Sequence, residues 1–312
     1  MEKTKIVVVC GPTASGKTAL AVDLAKRFNG EIVSADSMQI YKKLDIASAK
    51  PTEEEKQDVV HHLMDFLPPE KSFSVAEYVR LARETITDIA TRGKLPVIAG
   101  GTGLYINSLV DNVQFDETES NEDFRLEMQK LADEKGNEAL WQKLNEIDKN
   151  AAAELHPNNR GRIIRALEIH RTSGRTITEA KAMSRLEETP YEPCMIALNY
   201  VDRQQLYDRI NKRVDIMLQQ GLLREAKEFF SHDDYSTAAQ AIGYKELKPY
   251  FDGEKPLEEC IERLKQQTRR YAKRQLTWFR RDSRIHWITV NSDTDYAEIL
   301  ENAENLVKSY SI

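Results

Sequence analysis

The chain has 312 residues and a net charge of −6, with 45 Lys and Arg against 51 Asp and Glu. That length suits one sizeable core with an added lobe. Three widely spaced cysteines, Cys10, Cys194 and Cys260, form no C-x-x-C pair, which excludes a disulfide framework or a zinc site and fits a reduced cytosol. No apolar stretch is long enough to span a bilayer, and the short apolar run near the N-terminus is too brief for a signal peptide.

That run, Ile6 to Cys10, reads as a strand and leads directly into Gly11-Pro12-Thr13-Ala14-Ser15-Gly16-Lys17-Thr18, a complete G-x-x-x-x-G-K-[ST] phosphate loop. The glycines let backbone N–H groups converge on phosphate oxygens, Lys17 reaches the terminal phosphate, and the Thr18 hydroxyl is placed to ligate Mg²⁺. A helix over residues 18–28 aims its positive end at the anion. The loop recognises linked phosphates, so ATP, GTP and other diphosphates all remain open at this point. Residues 31–36 form a second predicted strand ending at Asp36, beside the loop if the sheet is open and parallel. A carboxylate there holds Mg²⁺ through water, accepts a proton from a nucleophile, or only caps a turn.

Farther along, His61 and His62 would point to opposite sides of an extended segment, so they suit a structural polar network better than a metal pair. Ser74 and Glu77 make a capping box opening a helix over 76–92, stopped by Gly93. A third strand, 95–99, runs into Gly100-Gly101-Thr102-Gly103-Leu104-Tyr105 with no carboxylate at its end, where phosphate-loop hydrolases carry a metal-binding Asp. From residue 111 to about 200 the chain reads as polar helices, such as 122–135 and 137–150. Strand signals return at 195–200 and 287–290. Arg209 and Arg213 lie one turn apart on a helix. In 263–284, Arg263, Arg270, Arg274 and Arg281 share one helical face, while Leu264, Tyr271 and Trp278 repeat every seven residues on another; that spacing favours burial for Tyr271, Trp278 and Phe279.

The phosphate loop, then Ser34-Ala35-Asp36-Ser37-Met38-Gln39-Ile40-Tyr41 and Gly100 to Tyr105, together resemble the tRNA dimethylallyltransferase (isopentenyltransferase) family. The resemblance continues through Asp45 to Lys50-Pro51, His61-His62-Leu63, Arg162 to Glu168, Ala241-Ile242-Gly243-Tyr244-Lys245-Glu246 and Ala272-Lys273-Arg274-Gln275. It implies an α/β fold: a P-loop NTPase-like core, with a parallel sheet flanked by helices, over 1–114 and 195–312, and an inserted all-helical lobe over 115–194 that touches tRNA. It implies transfer of a dimethylallyl group from its diphosphate to N6 of adenosine 37, in an anticodon loop of the A36-A37-A38 type. Gly11 to Thr18 then bind the diphosphate, with Mg²⁺ on Thr18. Asp36 is the base, Thr102 contacts the reacting diphosphate oxygens, and Arg213 matches a diphosphate-binding arginine. Adenine must be extruded from its stack to reach such a site. The residues expected to meet tRNA are Asp36, Ser37, Met38, Gln39, Thr102, Gly161, Arg162, Ile163, Ile164, Arg165, Gly243, Lys245, Arg270, Lys273, Arg274 and Arg281.

The acidic net charge argues against an RNA partner until its distribution is read. Residues 111–150 hold twelve Asp and Glu and five Lys and Arg, a net of −7, which leaves the remainder at +1. The acidic face should therefore point away from RNA. The ending at Ile312 without a zinc finger resembles the shorter, bacterial type, expected to be a cytoplasmic monomer. Ala47-Ser48, where the family pattern has Gly-Thr, and Asn159, where Asp is common, depart from the pattern. Two other readings compete: a small-molecule or nucleoside kinase using Asp36 as base, and a non-enzymatic RNA-binding nucleotide switch.

Overall fold

Alternating apolar runs and amphipathic helices give a six-stranded, wholly parallel sheet with helices on both faces. The fold was obtained as a computed structural model, which describes residues 3–115, 121–231 and 241–312. The apolar run near the N-terminus makes β1 (Thr4–Cys10), whose last five residues are buried on both faces, as a central parallel strand requires. It is followed by α1 (Lys17–Arg27), β2 (Gly30–Ser34), the single turn α2 (Glu53–Lys56) and the edge strand β3 (His61–His62). The capping box of Ser74 and Glu77 opens α3 (Val75–Thr91), then come β4 (Leu95–Gly100) and α4 (Gly103–Val110). Five helices follow: α5 (Glu122–Lys135), α6 (Asn137–Ile147), α7 (Lys149–Glu154), α8 (Arg160–Ser173) and α9 (Ile177–Met183). The chain returns to the sheet in β5 (Tyr191–Tyr200), continues through α10 (Arg203–Gln220), α11 (Leu222–Phe229), α12 (Tyr244–Phe251) and α13 (Leu257–Phe279), and ends with β6 (Ile285–Val290) and α14 (Tyr296–Ser309).

The strand order is β3-β2-β4-β1-β5-β6. Register sets the strand ends side by side: Cys10 pairs with Gly100 and with Ala197, and Ser34 with Ala99. The phosphate loop, Asp36 and Thr102 therefore all leave the sheet at its C-terminal edge, where open α/β sheets form their crevice. One core lies between the sheet and α3 and α4, around Val8, Ile98, Tyr78, Ile86, Ile106 and Met195. The opposite core joins α1 and α14 to Val7, Val9, Val97 and Ile196.

Two strands differ in extent from the sequence expectation. β2 stops at Ser34, because Ala35 and Asp36 turn away toward the loop after Ala35 N–H donates to Ala99 O at 2.8 Å. β5 starts at Tyr191, not at residue 195, since Thr4 pairs with Tyr191 and the two strands run together from there.

The chain divides into two compact units, Met1–Val110 with Pro190–Ile312, and Asp111–Thr189. The second is helical, with its own core of Met128, Leu140, Leu144, Ile163, Ile164 and Leu167. Its acidic helix 137–150 breaks at Asp148, whose carboxylate caps α7 at Ala151 N and also accepts from Thr178. Glu168, fully buried, accepts two hydrogen bonds from Arg125 and one each from Arg165 and the Asn121 N–H. Among the described residues no helix is long and apolar enough to cross a membrane.

Candidate active site

Three carbonyls of the phosphate loop are held by side chains. Lys17 Nζ donates to Pro12 O at 3.3 Å, Arg209 Nε to Ala14 O at 2.8 Å, and the Tyr200 hydroxyl to Ser15 O at 2.9 Å. Positive φ at Gly11, Ala14 and Gly16 curls the chain, and no side chain caps the start of α1. Thr13 N–H is taken by Gln275 and Ser15 N–H by Pro12 O, so the amides available to an anion are those at the uncapped start of α1. Ala14 at φ 61 accepts a strained left-handed conformation that glycine would adopt freely, which marks the curl as imposed by its surroundings. Ser15 Oγ is buried without a partner among the described residues.

Beside the loop, Asp36 Oδ1 accepts from Met38 N at 2.9 Å and Gln39 N at 3.4 Å. This turn-capping contact fixes the carboxylate and leaves Oδ2 without a protein partner among the described residues. Capping and chemistry therefore coexist in one side chain. Thr102 Oγ1 accepts from Ser37 N at 3.0 Å and lies 3.3 Å from Ser37 Oγ, while Thr102 N donates to Ala35 O. The β4 turn is thereby laced to the Asp36 turn, so close that a Cβ on Gly100 would stand 2.2 Å from Ala35 O.

Cations crowd the same place. Burial and the neighbouring Arg213 lower the Lys17 ammonium to about 8, opposed by Asp36. Burial also pulls the Arg213 guanidinium down, offset by the charges of Glu55 and Asp36, and Arg213 Nη2 donates to Ala49 O at 3.3 Å. Cationic groups held with depressed affinity for protons are short of counter-charge, and an incoming diphosphate would supply it. Two of the three arginines of α10 thus lie at the loop, Arg209 on Ala14 O and Arg213 near Lys17.

A cavity of about 20 Å³, room for about one water or ion, lies between Lys17, Thr18, Asp36, Gln39 and His61. A hydroxyl, a carboxylate and phosphate oxygens are hard donors that suit Mg²⁺, and no cluster of three His, Cys, Asp or Glu residues offers an all-protein cage among the described residues. A larger cavity, about 310 Å³, lies on the far side of the loop against Pro12, Tyr200, Arg203, Tyr207, Lys273 and Arg280. It contains neither Asp36 nor Lys17, so the chemistry belongs to the smaller one.

The two histidines separate as expected: His62 Nε2 is hydrogen-bonded to Glu31 at 2.7 Å in a polar network with Arg92 and Lys94. His61, which lines the small cavity, reaches Val59 O through Nδ1, while its buried Nε2 has no protein partner among the described residues. Burial lowers its pKa.

Several expected RNA contacts are redirected. Ile163 and Ile164 are buried in the helical core, and Arg165 spends its guanidinium on Glu168 at 2.6 Å; Gly161 and Arg162 stay exposed. Gln39 commits its amide to Ser48 O and Ala49 O. Gly243 is buried at φ 122, where an added Cβ would sit 3.0 Å from Ala47 Cβ. The departure at Ala47 is accommodated by this glycine. Ser37 and Met38 are half-buried beside Asp36, and Lys245 is exposed and 3.9 Å from Glu246.

α13 carries Arg263, Arg270, Lys273 and Arg274 in solvent, but it ends at Phe279 with Arg280 as its cap, so Arg281 lies past the helix rather than on its basic face. Phe279 is buried as expected; Trp278 is not, being 38% exposed and hydrogen-bonded through Nε1 to Asn107 at 2.8 Å. Tyr271 is half-buried under Arg274, at 5.5 Å, with burial raising its hydroxyl pKa. Sequence reading placed Tyr271 in a packing stripe and assigned nothing to Tyr200 or Gln275. A seven-residue repeat reveals a face but not what the face meets.

A phosphate loop facing a strand-end carboxylate, with glycine in place of an acidic residue at the end of β4, defines a P-loop NTPase-like fold equipped for group transfer rather than nucleotide hydrolysis. The family model described as IPP transferase matches residues 39–282, and the chain belongs to that family. It is 50% identical over 301 residues to the tRNA dimethylallyltransferase of Caldanaerobacter subterraneus subsp. tengcongensis, covering 96% of each chain. The crystal structure of the full-length tRNA isopentenylpyrophosphate transferase from Bacillus halodurans is similar, with TM-score 0.73 and 44% identity over 99% of this chain and 98% of that one. A eukaryotic dimethylallyltransferase acting on tRNA superposes with TM-score 0.82 at 28% identity, over 98% of this chain and 80% of that chain.

Proposed function

We propose that the protein transfers a dimethylallyl group from dimethylallyl diphosphate to N6 of adenosine 37, beside the tRNA anticodon, giving N6-(dimethylallyl)adenosine and diphosphate. The observation that carries this reading is the unpartnered Oδ2 of Asp36 beside Lys17 and Arg213 at the mouth of an open phosphate loop. The allylic C–O bond breaks as the loop N–H groups, Lys17 and Arg213 take up charge on the departing diphosphate. The N6–C bond forms, and the N6 proton passes to Asp36. The Asx turn holds that carboxylate in place, so little reorganisation accompanies the proton transfer. Thr102, tied to Ser37, would contact the reacting diphosphate oxygens. Thr18 would hold Mg²⁺, which would supply further neutralisation of diphosphate charge.

The exposed Arg270, Lys273 and Arg274 of α13, and Arg162 of the helical unit, are the cations offered to RNA phosphates. We read the protein as a cytoplasmic monomer; its three free, buried cysteines suit a reducing compartment. The test is incubation with Mg²⁺, radiolabelled dimethylallyl diphosphate and an anticodon stem-loop. Label enters RNA with the wild type and is lost with Asp36→Asn. Absence of label in RNA, with ATP γ-phosphate moving to a small molecule instead, would overturn the reading in favour of a kinase.

A further inference from the structure

Gln275 lies on the inner face of α13, 6% exposed, and both atoms of its amide are engaged. Oε1 accepts from the Thr13 backbone N–H at 2.9 Å, and Nε2 donates to Gly101 O at 2.9 Å. One planar group therefore spans two neighbouring strand ends, the phosphate loop after β1 and the Thr102 turn after β4. Gly101 is built to admit it, since a Cβ there would stand 2.2 Å from Nε2. Three residues on, Trp278 covers Gly103, where a Cβ would lie 2.3 Å from the indole, and donates to Asn107. The basic helix is thus docked onto residues 101–107 by its inner face while its outer face carries the exposed arginines.

We propose that Gln275 is a positioning residue that sets the spacing between the phosphate loop and the Thr102 turn, and with it the placement of the diphosphate relative to Thr102 and Asp36. The identity of that diphosphate rests on the dimethylallyl-transfer reading. The chemistry demands an amide, because one end must accept from a backbone N–H and the other must donate to a backbone carbonyl. Glu offers acceptors at both ends and would face Gly101 O without a proton; Met fills the volume and makes neither bond. Thr13 precedes Ala14, the residue held at φ 61, so the bond to Thr13 N–H steadies the start of the curl that presents the loop amides.

The test compares Gln275→Met, Gln275→Glu and Gly101→Ala with the wild type, reading inorganic diphosphate binding with Mg²⁺, the KM for dimethylallyl diphosphate, the KM for RNA, kcat, and Tm of the free protein. Gly101→Ala keeps Gln275 but pushes its amide aside. All three variants are expected to weaken diphosphate binding and to lower kcat by about tenfold or more, with the KM for RNA within about twofold and Tm within a few degrees. Wild-type diphosphate affinity and kcat in Gln275→Met and Gly101→Ala would overturn the proposal. So would a uniform fall in every parameter together with Tm, or failure of both variants to fold, because each marks a packing role. A wild type that binds diphosphate and puts no label into RNA sinks the transfer reading instead, and the binding comparison still decides the role of Gln275.

Discussion

At the scale of single residues, Lys17 carries the most direct consequence. Its ammonium is lowered to about 8 in the free protein by burial and by Arg213. The charged form binds a phosphate, so affinity is full below that pH and declines as pH rises through it, since binding must then also take up a proton. The dissociation constant of an unreactive allylic diphosphate analogue, measured between pH 6.5 and 9.5, should be flat at first and then weaken by about tenfold per unit. Lys17→Arg should move the break beyond that range; a flat wild-type profile would show that Lys17 does not govern affinity. Asp36 and Thr102 were legible from sequence because each stands a fixed step past an apolar strand. Tyr200 and Gln275 were not legible, because what they do depends on partners 174 to 262 residues away that no local spacing reports.

At the scale of elements, the segment after Asp36 is held from a distance. The Glu225 carboxylate, on α11, accepts from three successive backbone N–H groups, Asp45 at 2.9 Å, Ile46 at 2.8 Å and Ala47 at 2.9 Å, and from the Tyr244 hydroxyl at 2.7 Å. Lys50 adds bonds to Tyr41 O, Asp45 and Asp65, each at 2.6 Å. Glu225→Ala strands those donors and should cost about 2 kcal/mol in urea unfolding. Amide exchange should quicken at residues 45–47 while β1 and β4 stay protected; unchanged exchange there would remove Glu225 as the anchor. On α13, replacing Arg270, Lys273 or Arg274 by Ala should lower RNA affinity and flatten the slope of log K against log salt by about one unit for each RNA phosphate left without its cation. An unaltered slope would mean these cations stay in solvent throughout. The helical period of this element was readable in advance, but its stop was not: Arg281 continues the arithmetic of the stripe past the point where Phe279 enters the core and the chain turns toward β6. In α8 likewise, the Arg162 to Glu168 match concealed an inward face, with Ile163 and Ile164 packed and Arg165 paired.

For the molecule as a whole, stability has a focus at Glu31, 3% exposed on β2, which accepts two bonds from Arg92 and one from Lys94 and meets His62. Bonds to Arg92, together with those to Lys94 and His62, hold its carboxyl well below the usual carboxylate range, against the opposing effect of burial. The folded state thus binds its proton more weakly than the unfolded chain does. The stabilisation is in full force above the ordinary value of 4.5 and is lost progressively as pH falls below it. Glu31→Ala should cost about 2 kcal/mol near neutral pH, its partners regaining water at the sheet edge, with the penalty shrinking in acid. Parallel Tm profiles of variant and wild type from pH 7 to 3 would contradict this. The strands themselves and the helical stretch between them were readable from patterning that is local, whereas the strand order and the limits of the helical unit depend on non-local pairing, such as β5 with β1 from Tyr191 onward.

That pairing governs how the chain must fold as it is made. β1 is flanked by β4 and by β5, and α1 is met by α14 through Arg27 with Glu304 and Asp23 with Tyr296. Every central neighbour of the first strand except β4 is therefore synthesised after the whole helical unit. At ribosomal speeds of about 5–20 residues per second, roughly four to sixteen seconds separate α4 from β5, the strand that covers the other edge of β1. During that interval the nascent sheet has an open, apolar edge at β1, while the helical unit, local in its contacts, is free to form first. The strand that carries the phosphate loop is thus the earliest written part of the protein and among the last to be enclosed, so a chaperone that holds exposed β1 should engage chains stalled before residue 190.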